Sequence, residues 1–219
     1  MESCVYTTTS SPLGPLWICA TAVGVCGLGF GERPLGPARW QFVTTEEVYR
    51  GILERHPYRV RGMVGFGANV LVSHADGRRG REALAALDFY VHADLFMNPT
   101  AELADVVLPS ACFAEKEGTF SNTDRRVQRV RKAVEPPGQS WDDWKITCEI
   151  AGRMGYPMNY ESSRQIMEEI AQLTPSYGGI TYDRIAYEGI HWPAPTAEHP
   201  GTPILHRDQF TKGKGTFHA

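Results

Sequence analysis

The stretch Val60–Asp94, VRGMVGFGANVLVSHADGRRGREALAALDFYVHAD, decides the fold. It opens on the apolar run Val60–Phe66, which stops at Gly67-Ala68-Asn69. A short apolar run closed by glycine reads as a buried strand ending in a loop. Arg79–Leu87 follows with Ala83, Leu84 and Leu87 at helical spacing, and Phe89–His92 is a second apolar strand leading to Asp94. Strand, helix, strand in this order implies a right-handed crossover and a parallel sheet. Ligands of open parallel sheets sit beyond the carboxyl ends of the strands. Asn69 and Asp94 both lie on that edge.

Outward from this unit the alternation continues. Upstream, Thr44-x-x-Glu47 is a capping box before Val48, Tyr49, Ile52 and Leu53 at helical spacing, and Pro57 ends that helix. Downstream, Asp105–Leu108 is a third strand that stops at Pro109. After Pro136-Pro137-Gly138 the pattern is helical: Trp144, Cys148, Ala151 and Met154 share a stripe closed by Gly155. Ser162-x-x-Gln165 caps a further helix with Ile166, Ile170 and Leu173 inward. From Ile190 onward periodicity is lost among prolines and glycines, which reads as an extended arm. The expected fold class is α/β, a Rossmann-like parallel sheet with helices on both faces, followed by a helical and irregular C-terminal segment. Residues 44–155 form the α/β domain and 156–219 the helical continuation and arm.

Residues 1–43 stay unassigned. Two short strands, Leu16–Thr21 and Val25–Phe30, suit a β-hairpin there. Leu13–Phe30 just reaches the length of a membrane span, but Pro15 and four glycines interrupt it and no Lys or Arg precedes it. A membrane span or export signal is therefore not expected. The opening YTTTSSPLGPLWICATAVGVCGLGFGE faintly resembles the start of alkylguanine alkyltransferases, whose Pro-Cys-His-Arg motif is absent from this chain.

Composition narrows the function classes. Of 219 residues, 42% are hydrophobic and 21% charged, with a net charge of −3. That suits a soluble globular protein and argues against a generic nucleic-acid binder. Five cysteines without a Cys-x-x-Cys pair exclude a zinc knuckle and a disulfide scaffold, and fit a reducing compartment, the cytoplasm. Neither Gly-x-Gly-x-x-Gly nor a Walker sequence occurs, so an ordinary nicotinamide dehydrogenase fails its own fingerprint.

Three features carry candidate chemistry. A carboxylate at a strand end, Asp94, can accept two parallel bonds from the N1–H and amino group of a guanine, or can simply cap the following loop. Lys116, between Glu115 and Glu117 and before Gly118, can neutralise a diphosphate as a point charge. Arg125, Arg126, Arg129, Arg131 and Lys132 place five cations in eight residues. Phosphate binding is one reading; a solvated face or interface is the other, favoured by acidic neighbours and the lack of an aromatic platform.

LDFYVHADLFMNPTAELADVVLPSACFAEKEGTFSNTDRRVQ, residues 87–128, resembles the molybdopterin-guanine-dinucleotide oxidoreductases of the dimethyl sulfoxide reductase superfamily. AVEPPGQSWDDWKITCEIAGRMGYPMNY, residues 133–160, is similar to the formate dehydrogenase catalytic subunits in particular, and TPSYGGITYDRI, HWPAP and PGTPILH continue the likeness. The resemblance covers about residues 44–215 and implies a domain, 44–155, that clasps one half of a bis-molybdopterin guanine dinucleotide holding molybdenum or tungsten. Carried over singly, Asn69 matches a cofactor-contacting loop residue, and Ala93 with Asp94 the pair that holds guanine. Lys116 and Asp143 match two further contacts. Ala93 departs from the Ser or Gln often found there, so a side-chain bond is lost.

The resemblance also implies parts not found in this sequence: a cysteine cluster for iron and sulfur, a Cys or selenocysteine metal ligand with its His, and a final β-barrel. The chain thus reads as a cofactor-binding piece of a formate-oxidising catalytic subunit, inactive alone, with no catalytic or metal-ligating residue of its own. Its partners would be the remainder of that subunit or electron-transfer subunits, with no nucleic acid. The rival reading is a free-standing pterin-cofactor module or partner subunit. An excised piece would expose Phe96, Phe113, Trp192 and Phe217 and self-associate.

Overall fold

Three antiparallel strands come first, β1 (Val5–Ser11), β2 (Gly14–Thr21) and β3 (Gly24–Phe30), in that spatial order. The expected hairpin is the second half of this meander. β1, VYTTTSS, has no apolar alternation to announce it. The computed structural model describes residues 5–11, 14–21, 24–30, 44–207, 210 and 213–214, the first three stretches as backbone only. Phe217 lies outside the described residues.

Thr44 caps α1 (Thr45–Leu53) through the reciprocal box, its hydroxyl accepting from the Glu47 N–H while the Glu47 carboxylate accepts from the Thr44 N–H. β4 (Gly62–Phe66) leads into a single turn, α2 (Val70–Ser73), then α3 (Gly77–Ala85) and β5 (Phe89–Asp94). α3 starts two residues before Arg79 because Asp76 is its N-cap, accepting from the Arg79 N–H at 2.9 Å. A 3-10 turn, Ala101–Leu103, precedes β6 (Val106–Pro109).

β4, β5 and β6 form a parallel sheet in the order 4-5-6, as the βαβ pattern requires. Tyr49 and Ile52 of α1 and Ala83 of α3 make a buried core, with Val48, Leu53, Val60 and Leu87 around it. Along β5, Tyr90 and His92 are sealed from solvent. On the other face the register partners Val64 and Val106 of Val91 stay 40% and 39% exposed, so that face is partly open. α4 (Asp143–Arg153) is held by one fully buried side chain, Ile146, while the expected stripe of Trp144, Cys148, Ala151 and Met154 is half-buried.

The chain divides into two compact units, residues 1–116 with 133–159, and residues 117–132 with 160–219. The second unit holds an antiparallel sheet of β7 (Gly118–Ser121), β8 (Arg126–Val130) and β9 (Ile190–His191), together with α5 (Ser163–Leu173). Its core is Val127, Met167, Ile180, Tyr182, Ile185 and Ala194. Ser162 caps α5 by accepting from the Gln165 N–H, as its spacing predicts, but the helix buries Met167 and leaves Ile170 exposed. The segment from Ile190, where periodicity is lost, pairs with β8 and buries Ala194. Trp192, expected to be exposed, packs on that core and stacks on Tyr177 at 5.9 Å. Phe96 and Phe113 are exposed as expected.

Candidate functional site

Tyr90, His92 and Asp94 alternate along β5 and therefore share one face. The Tyr90 Oη lies 2.7 Å from His92 Nδ1, and His92 Nε2 lies 3.1 Å from Asp94 Oδ2. Burial first, then the Asp94 charge and Tyr49, push the Tyr90 hydroxyl up to about 12, so it keeps its proton. The ionised Asp94 can only accept from Nε2, which leaves Nδ1 of the neutral ring to accept from the Tyr90 hydroxyl. The imidazole proton thus sits on Nε2 and is donated to Asp94. Gly65 faces this pair in register; a Cβ there would meet His92 Nδ1 at 3.0 Å and Tyr90 Oη at 3.1 Å.

Asp94 accepts three bonds from its own chain. Oδ1 takes the Leu95 N–H at 2.6 Å, and Oδ2 takes His92 Nε2 and, at 2.8 Å, Asn98 Nδ2. Burial pushes its carboxyl up, but the Leu95, His92 and Asn98 donors outweigh it and hold the group below the ordinary carboxylate value. A carboxylate has about four acceptor directions, so one remains, on Oδ1. The two-donor pairing expected of Asp94 thus needs Asn98 or His92 to yield Oδ2.

Asn98 extends the network. Its Oδ1 accepts from the Thr100 and Ala101 N–H groups, and the Thr100 hydroxyl donates to Asn69 Oδ1 at 2.8 Å. Thr100, fully buried, also accepts from the Leu71 N–H. Asn69 and Asp94, chosen from the sequence, are thereby joined across the ends of β4 and β5. Ala93 is fully buried and its carbonyl accepts from the Gly67 N–H at 2.9 Å. Its role is to tie the β4 loop down, and Gly67 makes that turn at φ +58°.

Lys116 and Asp143 are each other's partners, the Lys116 ammonium donating to Asp143 Oδ2. Among the described residues no direct bond joins this pair to the Asn69–Asp94 network. Past the end of β6, the Ser110 N–H donates to the Asp94 carbonyl at 3.1 Å while its hydroxyl is buried without a partner.

The arginine run forms part of the scaffold. Arg125 donates to the Trp192, Thr202 and Pro203 carbonyls, and Arg131 to that of Ala186. Arg129 pairs with Glu117 and lies over the Tyr182 ring. Sequence reasoning passed over His92, Asn98 and Thr100. A histidine alternating with Tyr90 and Asp94 in an apolar strand, and an Asn-Pro-Thr turn directly after it, were the available signals.

Parallel strands whose carboxyl ends carry a fixed carboxylate and a braced asparagine have the layout of an open α/β sheet, in which ligands sit beyond the strand ends. The chain belongs to the molybdopterin oxidoreductase family, which it matches over residues 33–153. It is 50% identical over 151 residues to the F420-dependent formate dehydrogenase subunit alpha of Methanocaldococcus jannaschii, covering 68% of this chain and 22% of that protein. It is 44% identical over 166 residues to the F420-dependent formate dehydrogenase 2 subunit alpha of Methanococcus maripaludis, covering 75% and 25%. The chain thus spans a quarter or less of these curated relatives. In fold it is similar to acetylene hydratase from Pelobacter acetylenicus, with a TM-score of 0.54 and 24% identity over 65% of this chain and 20% of that one. Among the described residues no helix is long and apolar enough to cross a membrane.

Family membership implies a molybdopterin cofactor. The polar groups of the first unit suit such a ligand: an ionised carboxylate with one open acceptor direction, the Lys116 ammonium paired with Asp143, and the orphaned Ser110 hydroxyl.

Proposed function

We propose that this chain is the part of a formate dehydrogenase catalytic subunit that binds one guanine dinucleotide tail of bis-molybdopterin guanine dinucleotide, carrying molybdenum or tungsten, in the cytoplasm. Residues 44–155 are the binding portion. The remainder of such a subunit, or electron-transfer subunits, would be its partners. When bound, the metal–pterin group supplies the two-electron redox centre for oxidising formate to carbon dioxide.

The chain's own residues bind and orient. Asp94 accepts from the guanine edge, first through the open direction on Oδ1 and then through Oδ2 as Asn98 yields. Asn69, braced by Thr100, offers its amide from the neighbouring strand end. Ala93 sets the backbone between them. Lys116 turns from Asp143 to the diphosphate, and Asp143 holds the ammonium until then. The observation that supports this reading above all is the Asp94 carboxylate, kept ionised and fixed at the end of β5.

Competition between GDP and ADP for the full chain tests it. Asp94→Asn replaces an acceptor with an NH₂ that faces a guanine donor, so GDP affinity should fall by ~2–4 kcal/mol and the preference over ADP should vanish. An unchanged preference would reduce Asp94 to a loop cap.

A further inference from the structure

We propose that His92, set by Tyr90, is the positioning residue that gives Asp94 its guanine selectivity, an inference that rests on the guanine-binding reading of Asp94. His92 is fully buried, so it touches no ligand itself. Its ring is clamped at both nitrogens: Tyr90 Oη reaches Nδ1 at 2.7 Å and Asp94 Oδ2 lies 3.1 Å from Nε2. The two rings meet edge to face, with centroids 5.6 Å apart and planes at 62°. Gly65 packs beside the pair, where any Cβ would crowd His92 Nδ1 and Tyr90 Oη.

Direction is what this clamp supplies. A carboxylate at a strand end can rotate about its last bond and offer either oxygen at many angles. The Leu95 N–H fixes one oxygen and His92 the other, so the plane of the carboxylate is defined from two sides. Asn98, half-buried in the loop after Asp94 and held at its Oδ1 by the Thr100 and Ala101 N–H groups, also donates to Oδ2; lying outside the strand, it is the donor that yields when a base arrives. His92 cannot leave, because it is buried in the strand. The open direction on Oδ1 therefore points the same way before and after binding. One guanine donor finds it in place and the other takes the direction on Oδ2 that Asn98 vacates, whereas adenine has no such donor pair.

The test uses the full chain, GDP and ADP as probes, and three variants. His92→Leu removes the donor to Asp94 and keeps the bulk. His92→Gln restores an amide N–H in the place of Nε2–H, with its carbonyl toward Tyr90. Tyr90→Phe frees Nδ1 and leaves Nε2 in place. GDP-over-ADP selectivity should drop about tenfold or more in His92→Leu, the size of a lost bond to a charged group, and return to within about threefold of wild type in His92→Gln. Nitrogen-15 shifts of the His92 ring should report the Nε2–H form in wild type and a tautomer mixture in Tyr90→Phe. The carbon-13 titration of the Asp94 carboxyl should move upward in His92→Leu and recover in His92→Gln.

Selectivity and Asp94 titration both unmoved in His92→Leu would overturn the proposal. So would a wild-type ring protonated on Nδ1 alone, which needs no variant to fold. A wild-type chain that does not prefer GDP would instead defeat the guanine reading of Asp94, whatever the ring and carboxyl signals show.

Discussion

The two units of this chain use buried hydrogen bonds in opposite ways. In the second unit two arginines, Arg184 and Arg125, end on its own backbone. Arg184 reaches the carbonyls of Gly179, Thr196 and His199, and Arg125 those of Trp192, Thr202 and Pro203. At the strand ends of the first unit, donors from Leu95, His92 and Asn98 converge on one carboxylate and still leave it an open direction. A dense run of cations is thus a poor guide to anion binding when loops nearby need their carbonyls satisfied. A carboxylate held by several donors with capacity to spare is a better guide.

Core truncation in the second unit should produce the largest effect. Ile180 is fully buried, so Ile180→Ala should cost ~2–5 kcal/mol of stability in urea unfolding while GDP affinity of the folded protein stays put. A matching loss of GDP affinity would break the separation between scaffold and site. Next comes Arg184→Ala, which takes the guanidinium from the Gly179 and His199 carbonyls while Thr196 keeps its bond from the His199 N–H, and should cost ~2–3 kcal/mol, again with no change in nucleotide preference.

Gly65→Ala sharpens the comparison from the other side. The new methyl would press on His92 Nδ1 and Tyr90 Oη, so we expect ~1–3 kcal/mol of destabilisation accompanied by weaker GDP selectivity. Stability loss alone would mean that the clamp on Asp94 is not needed for recognition. The smallest effect belongs to Lys116→Ala. A partly exposed ammonium on a diphosphate should be worth ~1 kcal/mol or less and fade with added salt, leaving the base preference intact.

Much of the first unit was legible because local signals agreed. The Thr44–Glu47 box, the apolar runs at 60–66 and 89–92 and the helix between them give β4, β5 and their crossover, with small shifts at the ends. That Asn69 and Asp94 lie at the strand ends followed from topology, while their choice as cofactor contacts came from the family resemblance. Their brace did not: alternation puts His92 on the face of Asp94, but the bonds that join it to Asn98 and Thr100 form only in the fold. The second unit was harder to read. Charges mask the alternation of β8, and its turn at Asn122–Arg125 puts Arg125 at φ +68°, a conformation that glycine or asparagine would have advertised. β9 has only two residues, and Ala194 is buried and Trp192 half-buried by long-range packing that periodicity cannot register.

The most direct test of a nucleotide site at the strand ends, rather than on the arginine run, is amide chemical-shift mapping of the full chain during GDP titration. The account predicts saturable shifts at Asn69, Asp94, Leu95, Asn98 and Thr100, with residues 125–132 unmoved. Shifts concentrated at 125–132, with the β4 and β5 ends silent, would contradict it.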